Sequence, residues 1–380
     1  MAKVGIISYV THSSHLNYGA TLHGYAFQYI LKDKFGIDSI IVDYVANTLN
    51  GYNLKYPILN LEINRKYFGL PYWLNWLIGF RSNIAKYNKF QKFINENLII
   101  TNKKYCWNTI SNDSDLLKYN IDVWVCESDV IWKLYEKHGF DYGFFLKFIA
   151  ANDKKKIAYT PSMQARKFNK EEEKEFLSLV QSFDAISVRE RQSAEYLSQL
   201  LNKKIDWLID PTLLLQSSDY ENIIVTPREQ KYILVYNCMK NDFEMLKEAE
   251  KLAKEKALTL IEISNYSINK LLFHHKIIAD AGIEEWLGYI KHAEYVICNA
   301  FHGFCLSVIF KKEVFLFQRD ESDYRMKNIA TELGCMDHFI PCSNKKIPNK
   351  LSFINYEEVY PKLEKYRQKA FDFIKNNIVS

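Results

Sequence analysis

The stretch EYVICNAFHGFCLSVIFKKEVFLFQ, residues 294–318, decides the fold. Two short apolar runs, EYVICNA and EVFLFQ, read as strands, and FCLSVIFKK between them reads as a helix. His302 falls in the FHG turn, at or near the helix N-terminus, where unsatisfied backbone N–H groups favour an anion. An imidazole there can deliver a proton or, as a cation, sit beside bound phosphate or carboxylate. The competing reading is a structural histidine that caps the helix, and the residues alone leave both open.

Outward from this unit the same alternation recurs. KVGIISYV (3–10) is a buried strand, THSSHLNYG a polar loop, and Leu22, Ala26, Tyr29 and Ile30 mark a helix that Gly36 ends before the strand DSIIVDY (38–44). IDVWVC (121–126), KKIAYT (155–160), FDAISV (183–188) and KIDWLI (204–209) follow as strands. After a polar stretch with two prolines the pattern restarts with KYILVYNCM, a helix from NDFEML onward, and LTLIEIS; a last helix spans 356–377. This predicts an α/β chain of two Rossmann-like domains, residues 1–222 and 223–355, facing a central cleft. The C-terminal helix, 356–380, is expected to pack back on the first domain.

At 380 residues the chain suits two domains, and 48% hydrophobic with 25% charged residues is the balance of a globular protein. The formal charge of +5 is spread without a Lys/Arg cluster, which argues against a nucleic-acid partner and fits small anionic substrates or an anionic membrane surface. Aromatics at 15% suit sugar stacking or reflect a compositional bias. Seven cysteines form no CxxC pair, so reduced thiols, no zinc site and a cytoplasmic location are expected. No secretion signal opens the sequence, and YWLNWLIGF (72–80) is far short of the ~20 residues of a spanning helix. Flanked by Arg65, Lys66, Arg81 and Lys86, that stretch either lies on a membrane surface or packs into the N-terminal domain.

Two further strand-to-helix turns stand out. LNYGA presents Asn17, Tyr18 and Gly19 ahead of the first helix, without the GxGxxG that would make Asp43 a ribose ligand. SVRERQS carries Arg189 and Arg191, whose planar forks suit carboxylate or phosphate; Arg189 is the preferred candidate, against surface pairing with Glu190 or Glu195.

The order of NYGATLHGYAFQ, ESDVIW (127–132), ISVRERQS, DPTLLL (210–215) and YIKHAEYVICNAFHGFCLSVIFKK (289–312) resembles the polysaccharide pyruvyl transferase family over roughly residues 4–335. The resemblance implies a GT-B-like pair of Rossmann-type domains and transfer of a carboxyethylidene group from phosphoenolpyruvate to a cell-surface polysaccharide. It also implies donor-site roles for Arg189 and for His302, with Phe301 and Gly303 beside it. Some members carry an arginine two residues before that histidine, where this chain has Ala300, so Arg325, in a DYR stretch resembling a family N-x-R element, and Arg319 are the replacement candidates. The family's GSDQxW element appears as Glu127, Ser128, Asp129, Val130 and Trp132, without its Gly and Gln.

On this reading His302 is the general acid or stabilises departing phosphate, and Asp129 is the base or an acceptor ligand. Asn17, Tyr18, Gly19, Ser128 and Trp132 line the acceptor side. No metal or cofactor is required, phosphoenolpyruvate being the donor substrate. The acceptor is a sugar, free or lipid-linked at the inner membrane face, and the oligomeric state is open. The alternatives are a GT-B glycosyltransferase using a nucleotide sugar and a non-catalytic sugar- or anion-binding subunit of polysaccharide assembly.

Overall fold

The computed structural model describes residues 2–13, 15–56, 70–111, 113–150, 154–163, 168–238, 240–321, 324–349 and 352–379, with the side chains of 70–73 and 114 outside the description. The strands are β1 Val4–Ile7, β2 Ser39–Tyr44, β3 Ile100–Tyr105, β4 Val123–Glu127, β5 Lys155–Tyr159, β6 Ala185–Val188, β7 Asp206–Trp207, β8 Tyr232–Asn237, β9 Thr259–Ser264, β10 Lys276–Ile278, β11 Tyr295–Cys298, β12 Glu313–Phe317 and β13 Phe339–Ile340. The helices are α1 Tyr18–Asp33, α2 Leu70–Asn97, α3 Trp107–Ile110, α4 Lys170–Val180, α5 Arg191–Leu201, α6 Phe243–Lys256, α7 Asn269–Leu272, α8 Ile283–His292, α9 Phe301–Ile309, α10 Tyr324–Leu333 and α11 Tyr356–Ile374.

The chain divides into two compact units. The first comprises Met1–Asn50, Ile94–Leu214 and Glu364–Ser380, and the second Gly51–Phe93 and Leu215–Leu363. Each is built on its own parallel sheet, ordered β3-β2-β1-β4-β5-β6-β7 in the first and β10-β9-β8-β11-β12-β13 in the second. Two parallel sheets with intervening helices establish the expected α/β class. The central strands are buried on both faces, as YILVYN in β8 is throughout, which is why they read as unbroken apolar runs rather than alternating ones.

The division differs from the expected boundaries in three respects: residues 51–93 and 215–222 fall in the second unit, and the last helix is divided at Glu364. Residues 51–93, expected in the first domain, belong to the second unit because the side chains of α2 bond there. Asn75 Nδ2 donates to the Asn265 carbonyl, the Ile268 N–H donates to Asn75 Oδ1, and Lys89 Nζ reaches Glu285 at 2.7 Å. The last helix splits between units. Tyr360 donates to the Ile309 carbonyl in the second unit, whereas Arg367 donates to the Leu213 carbonyl and Tyr366 packs edge-on to Trp207 in the first.

The first unit is centred on an aromatic cluster in which Trp132, fully buried, stacks on Phe145 with centroids 5.4 Å apart and meets Phe183 edge-on. In the second, Ile233, Val235, Leu246, Leu252, Ile297, Phe315 and Phe317 form the core between sheet and α6. Burying each such side chain stabilises the fold by roughly 1.5–3 kcal/mol. Among the described residues no helix is long and apolar enough to cross a membrane.

Candidate functional site

Open parallel sheets bind ligands beyond the strand C-termini, at the point where strand order reverses direction. In the first unit that point lies between β1 and β4, flanked by the loop leading into α1 and the loop that begins at Ser128. In the second it lies between β8 and β11, flanked by the loop into α6 and the FHG turn into α9. The sequence candidates fall at both points.

At the first point, β4 ends in Glu127, and Ser128 and Asp129 follow with φ of 41° and 57°. Two successive non-glycine residues in the left-handed region are strained, a condition that persists only when neighbours hold it. The loop after β5 does so: the Ser128 N–H donates to the Tyr159 carbonyl at 2.9 Å, and the Ser162 N–H to the Asp129 carbonyl at 2.7 Å. Side chains complete the brace. Arg189, directly after β6 and 5% exposed, places Nη1 2.5 Å from Asp210 Oδ2 and Nε 2.9 Å from Ser162 Oγ. Ser128 Oγ donates to the same Asp210 oxygen, and the N–H and hydroxyl of Thr212 donate to the other.

His23 of α1 and Glu127 are fully buried, with His23 Nδ1 at 3.0 and 2.9 Å from the two Glu127 oxygens. His23 Nε2 lies 3.8 Å from Asp129 Oδ2. Burial by itself would lower the imidazole's affinity for its proton, but the charge of Glu127 outweighs it and, with Asp129, raises the pKa to about 10. Burial likewise opposes the charge of Asp129, yet His23 and Arg189 hold that carboxyl well below the usual carboxylate range. Glu127 itself is pushed up by burial despite His23.

The remaining first-unit candidates have structural contacts of their own. Asn17 is the N-cap of α1, its Oδ1 accepting from the N–H groups of Gly19 and Ala20, so these two amides already serve the helix. Tyr18 is 1% exposed. Trp132, expected on the acceptor side, is instead at the centre of the aromatic cluster with Nε1 directed at the Phe144 carbonyl; its large apolar area is used by the core. Arg191 lies over the Trp207 ring at 5.1 Å.

At the second point the groups are mainly amides and cations. Ala300 is the N-cap of α9 without a side-chain cap bond, His302 is partly buried in the first turn, and Phe301 packs edge-on to the imidazole at 5.2 Å. Gly303 is required by close packing: a Cβ there would stand 2.8 Å from the Tyr236 ring and 3.2 Å from Cys298 Cβ. Behind the turn, Asn299 Nδ2 donates to the Lys240 carbonyl, and buried Glu262 accepts from Asn237 and Asn269 and pairs with His275 at 3.0 Å. Arg319 follows β12, partly buried, and is among the charges acting on Tyr266. Arg325 is partly buried in the first turn of α10; Asp323 of the DYR stretch lies outside the described residues.

Sequence reasoning missed four side chains here. His23, Glu127 and Asp210 are ionisable residues inside otherwise apolar elements, a signal that was available. Lys86, named only as a basic flank of the 72–80 stretch, is 2% exposed and donates to Asn265 Oδ1 at 2.6 Å, its pKa lowered by burial to about 8. Arg65 and Lys66 lie outside the described residues. Among the described residues no group of three or more His, Cys, Asp or Glu is arranged to hold a metal ion.

Several solved structures are similar to the chain at low identity. The S. aureus MnaA–UDP co-structure is 11% identical with a TM-score of 0.46, covering 96% of this chain and 88% of its own. The UDP-GlcNAc 2-epimerase of Methanocaldococcus jannaschii is 13% identical with a TM-score of 0.45, covering 95% and 92%. No curated protein matches. The family comparison is decisive: the model of the polysaccharide pyruvyl transferase family matches residues 17–321, most of the chain and both strand-reversal points, and the protein belongs to that family.

Proposed function

We propose that the protein transfers the carboxyethylidene group of phosphoenolpyruvate to two hydroxyls of one sugar in a cell-surface polysaccharide or its precursor. The observation that carries this reading is the family match across residues 17–321, which itself supports polysaccharide pyruvyl transfer in general.

The chemistry needs a proton on the methylene carbon of the enol and attack by one sugar hydroxyl on the adjacent carbon. Phosphate then leaves, and a second hydroxyl attacks the same carbon to close a cyclic ketal. The two hydroxyl protons end one on the new methyl group and one on the released phosphate, so no redox partner is needed.

The donor is a trianion and belongs beside basic groups and backbone N–H donors. The second unit supplies them: α9 offers a helix N-terminus beside His302, with Arg319 after β12 and Arg325 in α10. In this reading His302, as imidazolium, supplies the proton or neutralises departing phosphate, while Phe301 and Gly303 fix its turn. Arg189, also a donor candidate by sequence, has its guanidinium engaged by Asp210; its role is then to hold the Ser128–Asp129 loop.

Asp129 has the wrong basicity for proton abstraction, because a carboxyl held well below its usual range is a weak base at neutral pH. It suits instead a fixed acceptor of hydrogen bonds from sugar hydroxyls, orienting the acceptor. Leu74, Leu77 and Phe80, exposed along α2, would suit contact with a membrane carrying a lipid-linked acceptor.

The test is phosphate release from phosphoenolpyruvate with galactosyl, glucosyl and mannosaminyl acceptors, beside thermal shifts with phosphoenolpyruvate and nucleotide sugars. Acceptor-dependent release with stabilisation by phosphoenolpyruvate supports the reading. Stabilisation and turnover with a nucleotide sugar alone would replace it with a glycosyltransferase, and no ligand effect with a binding subunit.

A further inference from the structure

We infer that His23 is a positioning residue for acceptor recognition: it holds the Asp129 carboxylate ionised and in place, and the buried Glu127 keeps that imidazole charged. The inference rests on the proposed acceptor role of Asp129 and deepens it. Its basis is geometric. Three ionisable side chains from two elements form a line, Glu127 at the end of β4, His23 within α1, and Asp129 two residues beyond Glu127, with Nδ1 2.9 Å from Glu127 and Nε2 3.8 Å from Asp129. The first two are fully buried, whereas the Asp129 side chain keeps 16% of its surface exposed, so the line runs from the interior to an open carboxylate.

A fully buried carboxylate such as Glu127 must be neutralised or it would destabilise the fold. His23 does this, and because an imidazolium donates from both nitrogens, the ring that satisfies Glu127 also turns an N–H toward Asp129. Among the described residues, the other charged or titratable groups near the line include Arg189 and Asp210, paired with each other, the phenols of Tyr9 and Tyr135, which share a hydrogen bond, and the buried Tyr159 and Cys126 beside Glu127. Arg189 supports the Asp129 charge as well, but from the loop side, so His23 is the helix-borne contribution.

The experiment has two readouts on the full-length chain. The first needs no substrate: nitrogen-15 histidine spectra follow the His23 ring with pH, its signal assigned by loss in His23→Gln. The ring should be an imidazolium at pH 8 and titrate near 10, and Asp129→Asn and Glu127→Gln should each lower that titration. A neutral His23 ring at pH 8, or a titration unmoved by Asp129→Asn, overturns the inference. The second is kinetic. In His23→Gln/Glu127→Gln, which keeps a hydrogen-bonded amide pair, kcat/KM for the sugar should fall on the order of a hundredfold while KM for phosphoenolpyruvate stays the same. The acid limb of its pH profile should move upward toward the ordinary carboxylate range. An unchanged acid limb, or equal losses for sugar and phosphoenolpyruvate, contradicts a positioning role. Should His23→Gln fail to fold, the Asp129→Asn spectra still decide, with His23 assigned by selective labelling. If the wild-type chain shows no turnover with phosphoenolpyruvate at all, the functional reading fails, and the spectra still judge the His23–Asp129 coupling by themselves.

Discussion

The two strand-reversal points share one topology and carry opposite chemistry. In the first unit charge is abundant and internally matched: Arg189 against Asp210, His23 between Glu127 and Asp129, with Glu190 held by Ser162. In the second, the corresponding edge is lined by amides, a helix N-terminus, His302 and basic side chains, and its buried acid Glu262 is satisfied by Asn237, Asn269 and His275. A sheet edge therefore does not define its ligand. A matched network holds the Ser128–Asp129 loop, while the other edge, with its helix N-terminus and His302, is the side proposed for the donor.

The largest expected effect breaks the matched side. Arg189→Ala leaves the buried Asp210 carboxylate without its guanidinium partner and should cost about 3–5 kcal/mol in denaturant unfolding, and Asp210→Ala a similar amount. The double variant should lose less than the sum. Additive losses would mean that the pair is not coupled. Trp132→Ala should also cost about 3–5 kcal/mol, since it empties the centre of an aromatic cluster. A normal melting curve with weakened acceptor binding would return that residue to the ligand side.

On the other side, His302→Ala should leave thermal stability nearly unchanged and reduce phosphate release by about a hundredfold or more. Loss of folding without a specific rate effect would make it a helix-capping histidine. A pH experiment sharpens the contrast. His23 binds its proton more tightly in the folded chain than in the unfolded one, so its contribution is complete below the ordinary histidine pKa of ~6.5 and is lost as pH rises toward about 10. Unfolding midpoints should fall across that window, and the slope should flatten in His23→Gln/Glu127→Gln; identical slopes would refute it. Gly303→Ala comes last: its new methyl group would stand 2.8 Å from the buried Tyr236 ring, which must shift, so the variant should lose about 1–3 kcal/mol of stability and raise KM for phosphoenolpyruvate several-fold. An unchanged melting curve and KM would show that the turn has room.

The strands that carry these points were legible because strands buried on both faces are written as apolar runs: KVGII, IDVWVC, KYILVYN and EYVIC each became one. β3, β10 and β13 were not, since ITNKKY is an exposed edge strand and the other two span three and two residues. His302 was placed correctly at the start of a helix because a strand and a helix meet in three residues there. Arg189 was found, but its partner was hidden: Asp210 is 21 residues away and reaches it only through the fold. The same distance problem concealed His23 and Glu127, separated by 104 positions. Lys86 was named only as a basic flank of YWLNWLIGF, and that its helix directs it inward shows only in the fold.

The most direct test of the central claim is to incubate the full-length protein with phosphoenolpyruvate and each sugar acceptor, following phosphate by phosphorus-31 NMR and the acceptor by mass. The account predicts one phosphate released for each carboxyethylidene group gained by the sugar, with both lost in His302→Ala. Phosphate released without a modified sugar, or an acceptor glycosylated only when a nucleotide sugar is supplied, would contradict it.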